Sequence, residues 1–317
     1  MSPHGDGRVV SVTGSLEADA LGRTLMHEHL LTTTLPQPGM SLRDERLAGL
    51  ELADARAGGT TTLVDLTTFD LGRRPAALRR LSEASGVNVV MGTGWYTSAT
   101  YPHRIATTST ADLAAELIAD IRDGVDGIRP GVIGEIGTAG LDIDAREERV
   151  VRAVARAHAA TGLAIFVHQQ RVYSGPAVLD LLTEEGVTPG RVVFCHMDAL
   201  DEPGAHEDAL ERGVWLSYDR PQGWELVHQM QTWEIDHRVD LVVRARALGA
   251  LERVLLSTDC CVLGDLARYG GPGYAYTHTG FATRLRDAGL TEADLDTLFV
   301  ANPRRLLPPS DGGPPVS

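Results

Sequence analysis

Eight short runs of β-branched and apolar residues alternate with stretches of helical spacing along nearly the whole of this 317-residue chain. The runs predicted as strands are Thr24–His29, Thr62–Thr67, Val87–Thr93, Val132–Ile136, Ala164–His168, Val192–His196, Val214–Tyr218 and Val254–Ser257. Between them, Asp112–Ile121, Glu147–Ala159, Pro176–Glu184, Val239–Leu248 and Thr291–Phe299 carry the apolar spacing of helices. Pro176 falls in a first turn and Thr291 at a cap position. Connections long enough to hold a helix make successive strands parallel. Eight such units predict an α/β fold, a closed (β/α)8 TIM-type barrel. The competing architecture is an open doubly wound sheet, which would place a Gly-x-Gly-x-x-Gly loop after its first strand. No such loop is present, and Gly131-Val-Ile-Gly134 lies before and within a strand. Residues 8–21 predict a short N-terminal β-hairpin, and 1–307 a single barrel domain. Segment 220–236 is long for a strand–helix loop and reads as a lid or insertion. The tail 308–317, rich in Pro and Gly, predicts disorder.

Composition narrows the function. The formal charge of -14 argues against a nucleic-acid groove or an anionic membrane as partner. No apolar run reaches bilayer length, and the first residues lack the basic and apolar regions of a signal peptide. Cys195, Cys260 and Cys261 form neither a disulfide framework nor a CxxC pair. The expectation is a soluble, cytoplasmic protein acting on a small molecule.

In such a barrel, active sites lie at the C-terminal ends of the strands. Metal-competent side chains recur there. His27 and His29 close the first run; two apart on a strand, they face the same side. Glu135 lies near the end of the fourth run, His168 ends the fifth, His196 the sixth, and Asp259 follows the eighth. Each has an ordinary use when taken singly: a hydrogen-bonded core histidine, a partner for Arg, a helix cap. Together they form six ligands from five strands at one mouth. Six are too many for a single tetrahedral zinc with an open position. They suit two divalent metals about 3.5–4 Å apart, bridged by a carboxylate and a hydroxide. The charges of Glu135, Asp259 and hydroxide leave such a pair one net positive charge, which would polarise a carbonyl or phosphoryl oxygen. Asp259 is the candidate proton acceptor.

Longer stretches support a family reading. They are Leu-Met-His-Glu-His-Leu (25–30), Thr-Leu-Val-Asp-Leu-Thr-Thr-Phe-Asp-Leu-Gly-Arg (62–73), Met-Gly-Thr-Gly-Trp-Tyr (91–96) and Val-Ile-Gly-Glu-Ile-Gly-Thr (132–138). Val-His (167–168), Cys-His-Met-Asp (195–198), Leu-Ser-Thr-Asp (256–259) and Asn-Pro-Arg (302–304) complete the set. In these the chain resembles the phosphotriesterase family of the amidohydrolase superfamily, in its phosphotriesterase homology protein branch. The resemblance implies that His27 and His29 serve a more buried metal, completed by Asp259, and His168 and His196 a more exposed one. It also implies zinc, with manganese or cobalt as alternatives, and a homodimer. Many members bridge their metals with a carboxylated lysine. This chain contains no lysine, all 29 of its basic residues being Arg. Glu135 would be the bridge, and its shorter arm requires metals nearer the fourth strand or a strand that bulges inward. Tyr96 and Arg220 match substrate-side positions of lactone-hydrolysing relatives. Arg268 is a further candidate for a substrate carboxylate or phosphate, and Trp224 and Trp233 for a pocket wall. Cys260 and Cys261 are read as structural, and His103, His228, His237 and His278 as outside the site. The reaction expected is hydrolysis of a lactone, carboxylic ester or amide. The alternatives are phosphotriester hydrolysis, a metal-loaded binding protein without catalysis, and a single-metal deaminase.

Overall fold

A computed structural model describes residues 7–33, 41–169, 172–200, 202, 204–221 and 232–309. An antiparallel hairpin, β1 (Arg8–Ser11) and β2 (Gly14–Glu17), opens it, as the sequence predicts. The barrel strands are β3 (Thr24–Glu28), β4 (Thr62–Asp65), β5 (Asn88–Thr93), β6 (Val132–Gly137), β7 (Ile165–His168), β8 (Val192–Phe194), β9 (Trp215–Tyr218) and β10 (Val254–Leu256). They pair in sequence order, each neighbour parallel.

Alternation along the strands divides the core into two layers. Met26, Val64, Val90, Val132, Phe166, Val193 and Leu255 join one buried cluster, while Leu25, Leu63, Val89 and Met91 join a second, and Ile133, Ile165, Val192, Leu216 and Val254 a third, both with residues of the flanking helices. The helices are α1 (Glu45–Ala57), α2 (Pro75–Ser85), α3 (Thr110–Asp123), α4 (Ala145–Thr161), α5 (Gly175–Glu184), α6 (Ala205–Glu211) and α7 (Thr232–Ala247), followed by shorter helical turns. Thr291 caps the turn at 292–296, its hydroxyl accepting from the Asp294 N–H.

Two expectations, the extent of the loop over 220–236 and the end of the sixth run, need revision. Helix α7 begins at Thr232, so the long segment after β9 is helical in its last part. Trp224 and His228, and the side chain of Trp233, lie outside the described residues, as do 310–317 of the tail. Strand β8 stops at Phe194, because His196 adopts a left-handed φ of 59°.

The barrel is also only nearly closed by its backbone: among the described residues β3 and β10 share no ladder. Their seam is sewn by side chains at the mouth. The Ser257 hydroxyl accepts from the His27 N–H (2.8 Å) and donates to Glu28 Oε1 (2.8 Å). One direct backbone bond, Asp259 N–H to His27 O (3.0 Å), joins them. No helix among the described residues is long and apolar enough to cross a membrane.

Candidate metal centre

All six predicted ligands are buried at the C-terminal mouth of the barrel, and five of them line one pocket with Thr32, Leu71, Tyr96 and Cys261. They form two sets, each with its donor atoms within 4.8 Å of one another: His27, His29 and Asp259, and Glu135, His168 and His196. Glu135 connects them. Its Oε1 lies 2.8 Å from both His168 Nδ1 and His196 Nε2, while Oε2 lies 3.5 Å from His27 Nε2 and 3.9 Å from His29 Nε2. This reach comes from an irregular strand. The β6–β7 register shifts between Ile133 and Ile136, on either side of Glu135 and Gly134. Gly134 makes it feasible: at φ 124° a Cβ there would fall 2.5 Å from Phe166 O.

The set fits a divalent cation. The Nε2 of His27 is buried without a hydrogen-bond partner, its carboxylate neighbours Glu135 (3.5 Å) and Asp259 (3.6 Å) being too distant. Its other nitrogen, Nδ1, donates to Asp219 Oδ2 at 2.9 Å. A ring fixed on one side by a carboxylate, with its second nitrogen free to bind, is the arrangement of a metal-ligating histidine. The electrostatics agree. Burial disfavours charge on His196 and His27, yet surrounding carboxylates push His196 up to about 10 and His27 well above the usual imidazole range. Burial would likewise raise Glu135, but His168, His27 and His196 hold it well below the usual carboxylate range. Such a pocket draws positive charge into itself.

Sequence reasoning did not single out the residues that orient these ligands. Asp219 follows β9 and grips both sets at once: Oδ1 accepts from His196 Nδ1 (2.8 Å) while Oδ2 accepts from His27 (2.9 Å). Burial opposes its ionisation, and the two imidazoles overcome that and depress its pKa. Asp198, in turn, accepts from the Asp219 N–H. The ring of His29 is held by the Thr67 hydroxyl, 3.0 Å from Nδ1. The rule that found the six ligands, a polar residue closing an apolar run, applies equally to Asp219 in Trp-Leu-Ser-Tyr-Asp.

The secondary candidates divide. The Tyr96 hydroxyl reaches the pocket and lies 3.0 Å from His168 Nε2. The Arg220 guanidinium is buried against Asp259, donating to its backbone O (2.6 Å) and facing Oδ2 (3.3 Å), with Asp265 Oδ2 at 3.7 Å. Arg268 is drawn to α1, 3.1 Å from Glu51 Oε1 and 2.6 Å from Asp54 Oδ2, and does not line the pocket. Cys261 forms part of the pocket wall without joining a candidate ligand group among the described residues, and Cys260 is fully buried. His278 lies against Thr60 outside the site, and His103 and His237 join no ligand group among the described residues.

A parallel barrel carrying four imidazoles and two carboxylates at its mouth defines a class, the metal-site barrels. The sequence identifies the family: the chain matches the phosphotriesterase family over residues 7–307, and belongs to it. It is 31% identical to the phosphotriesterase homology protein of Escherichia coli, over 91% of this chain and 99% of that one. It is 32% identical to the N-acetyltaurine hydrolase of Bos taurus, over 95% and 98%. Among solved structures, a resiniferatoxin-binding protein from Rhodobacter sphaeroides superposes with a TM-score of 0.87 at 34% identity, over 94% of each chain.

Proposed function

We propose that this chain is a hydrolase that cleaves a lactone, carboxylic ester or amide with two divalent cations, zinc foremost, held by the six ligands. The observation that carries this reading is the reach of Glu135, one oxygen at 2.8 Å from His168 and His196 and the other at 3.5 Å from His27. One carboxylate thereby serves both ligand sets. Bound there, divalent cations supply a water that ionises near neutral pH and a Lewis acid for the scissile carbonyl.

The chain's own residues do the rest. Asp259 Oδ1 is 3.4 Å from His29 Nε2 and 3.6 Å from His27 Nε2, while Oδ2 faces Arg220. Burial would raise its pKa, but His27, Arg220 and His29 hold it below the ordinary range. It is therefore ionised, able to take the proton of the attacking water and pass it to the leaving group. Burial and the nearby Glu135 and Asp259 raise the Tyr96 pKa well above its usual value, so its hydroxyl keeps its proton and can donate to the substrate oxygen. Arg220 acts on Asp259, not directly on substrate. The name of the bovine relative favours an amide among the three carbonyl classes.

A screen of zinc- and manganese-loaded protein against N-acyl compounds, lactones and aryl phosphotriesters tests this. Turnover of a carbonyl substrate is expected, reduced about 10²–10⁴-fold by Asp259→Asn. Turnover of phosphotriesters alone would move the reaction to phosphorus. Full turnover in the Asn variant would overturn the mechanism. The name of the Rhodobacter relative favours a second reading, a binding protein, which predicts tight ligand binding without any turnover.

A further inference from the structure

We infer that Glu28, the middle residue of His-Glu-His, is the positioning residue for Asp259. Three successive backbone N–H groups, those of Thr258, Asp259 and Cys260, all donate across the seam to β3. The first goes to Glu28 Oε1 (2.7 Å), the second to His27 O (3.0 Å) and the third to Glu28 Oε2 (2.9 Å). The two oxygens of one buried carboxylate therefore clamp the residues on either side of Asp259. Asp259 itself sits at φ 45°, a left-handed backbone that non-glycine residues keep only where surroundings impose it. No strand ladder imposes it, because β10 ends at Leu256 and, among the described residues, does not pair with β3. Glu28 does. The Ser257 hydroxyl, donating to the same Oε1, ties the clamp to the His27 N–H.

The chemistry demands an acceptor on both oxygens. A glutamine of the same shape can accept on one side only and turns an N–H₂ toward the amide on the other. The residue between two metal-ligand candidates thus sets the backbone of a third, just past a strand more than 200 positions away in sequence.

The inference deepens the hydrolase reading, on which the function of Asp259 rests, so its test includes a readout independent of metal and turnover. Glu28→Gln is compared with Leu255→Ala, a cavity variant in the buried core on β10, the strand that leads to Asp259. Hydrogen exchange over residues 258–260 is expected to speed up at least about 10-fold in Glu28→Gln beyond any change in Leu255→Ala at matched stability. Metal retention under chelator competition is expected to fall about 10- to 100-fold for one ion per chain, the other being kept. Unchanged exchange in a folded Glu28→Gln protein would overturn the inference. So would equal weakening of both ions, the result of a general loss of stability. If wild-type protein binds no metal, the hydrolase reading fails, and the exchange result still decides the role of Glu28.

Discussion

The two halves of the centre use the same ligand chemistry on different scaffolding. The half made by Glu135, His168 and His196 stands at the ends of β6, β7 and β8, whose ladders run up to it at Gly137↔His168 and Val167↔Phe194, with one register shift between Ile133 and Ile136. Its polar atoms lie at hydrogen-bond distance from one another, 2.8–3.0 Å. The half made by His27, His29 and Asp259 stands at the seam, where its nearest imidazole–carboxylate separations are 3.4 and 3.6 Å and His27 Nε2 has no partner. On the laddered side the sheet sets ligand positions. At the seam, side chains that are not ligands must do so. Damage to those supports should therefore show first at the seam.

Removing the link between the halves gives the largest expected effect. Glu135→Gln leaves one oxygen where two serve four imidazoles, and should lower the affinity for both ions and the turnover by more than about 100-fold, beyond the usual effect of outer partners. Metal analysis after dialysis checks it; a variant that keeps both ions would separate the halves entirely. Asp219→Asn comes next. An amide can accept from His27 or His196 but not from both, so affinity should fall about 10- to 100-fold in each half. Loss confined to one half would show that the grip on the other is incidental. Among the candidate ligands, Thr67→Val removes a neutral partner from His29 alone. Neutral partners are weaker than charged ones, so the loss should be about 10-fold and restricted to the seam half. Competition with a chelator, followed as ions released per chain, distinguishes these patterns.

Much of this was legible in the chain. The barrel followed from eight apolar runs separated by helix-length connections, and the ligands from polar residues at the ends of those runs. What escaped depended on distances between strands far apart in sequence. Asp219 reads equally well as a helix cap until β3 and β8 are known to bring His27 and His196 to the same carboxylate. Glu28 lies in the most conspicuous motif of the chain, yet its partners are some 230 positions away. The buried face of α1 is Ala48, Glu51, Leu52 and Ala55, a weak apolar stripe in sequence, with Glu51 accepting the N–H groups of Ala267 and Arg268. The same Glu51 explains Arg268, drawn out of reach of the pocket by two carboxylates of α1. The Arg220 guanidinium meets Asp259 and Asp265, partners some 40 positions away that no local motif announces.

The smallest expected effect is none at all, and it tests what links the two halves. A carboxylated lysine would need carbon dioxide to form, so metal uptake by apoprotein would rise with bicarbonate. This chain has no lysine. Glu135 reaches both ligand sets without modification, from a strand whose register shifts around Gly134. Stripped protein given zinc or manganese should recover the same ion content, at the same rate, with or without bicarbonate. Recovery that requires bicarbonate would mean that another group joins the halves, and that the 2.8 Å contacts of Glu135 with His168 and His196 serve only the laddered side.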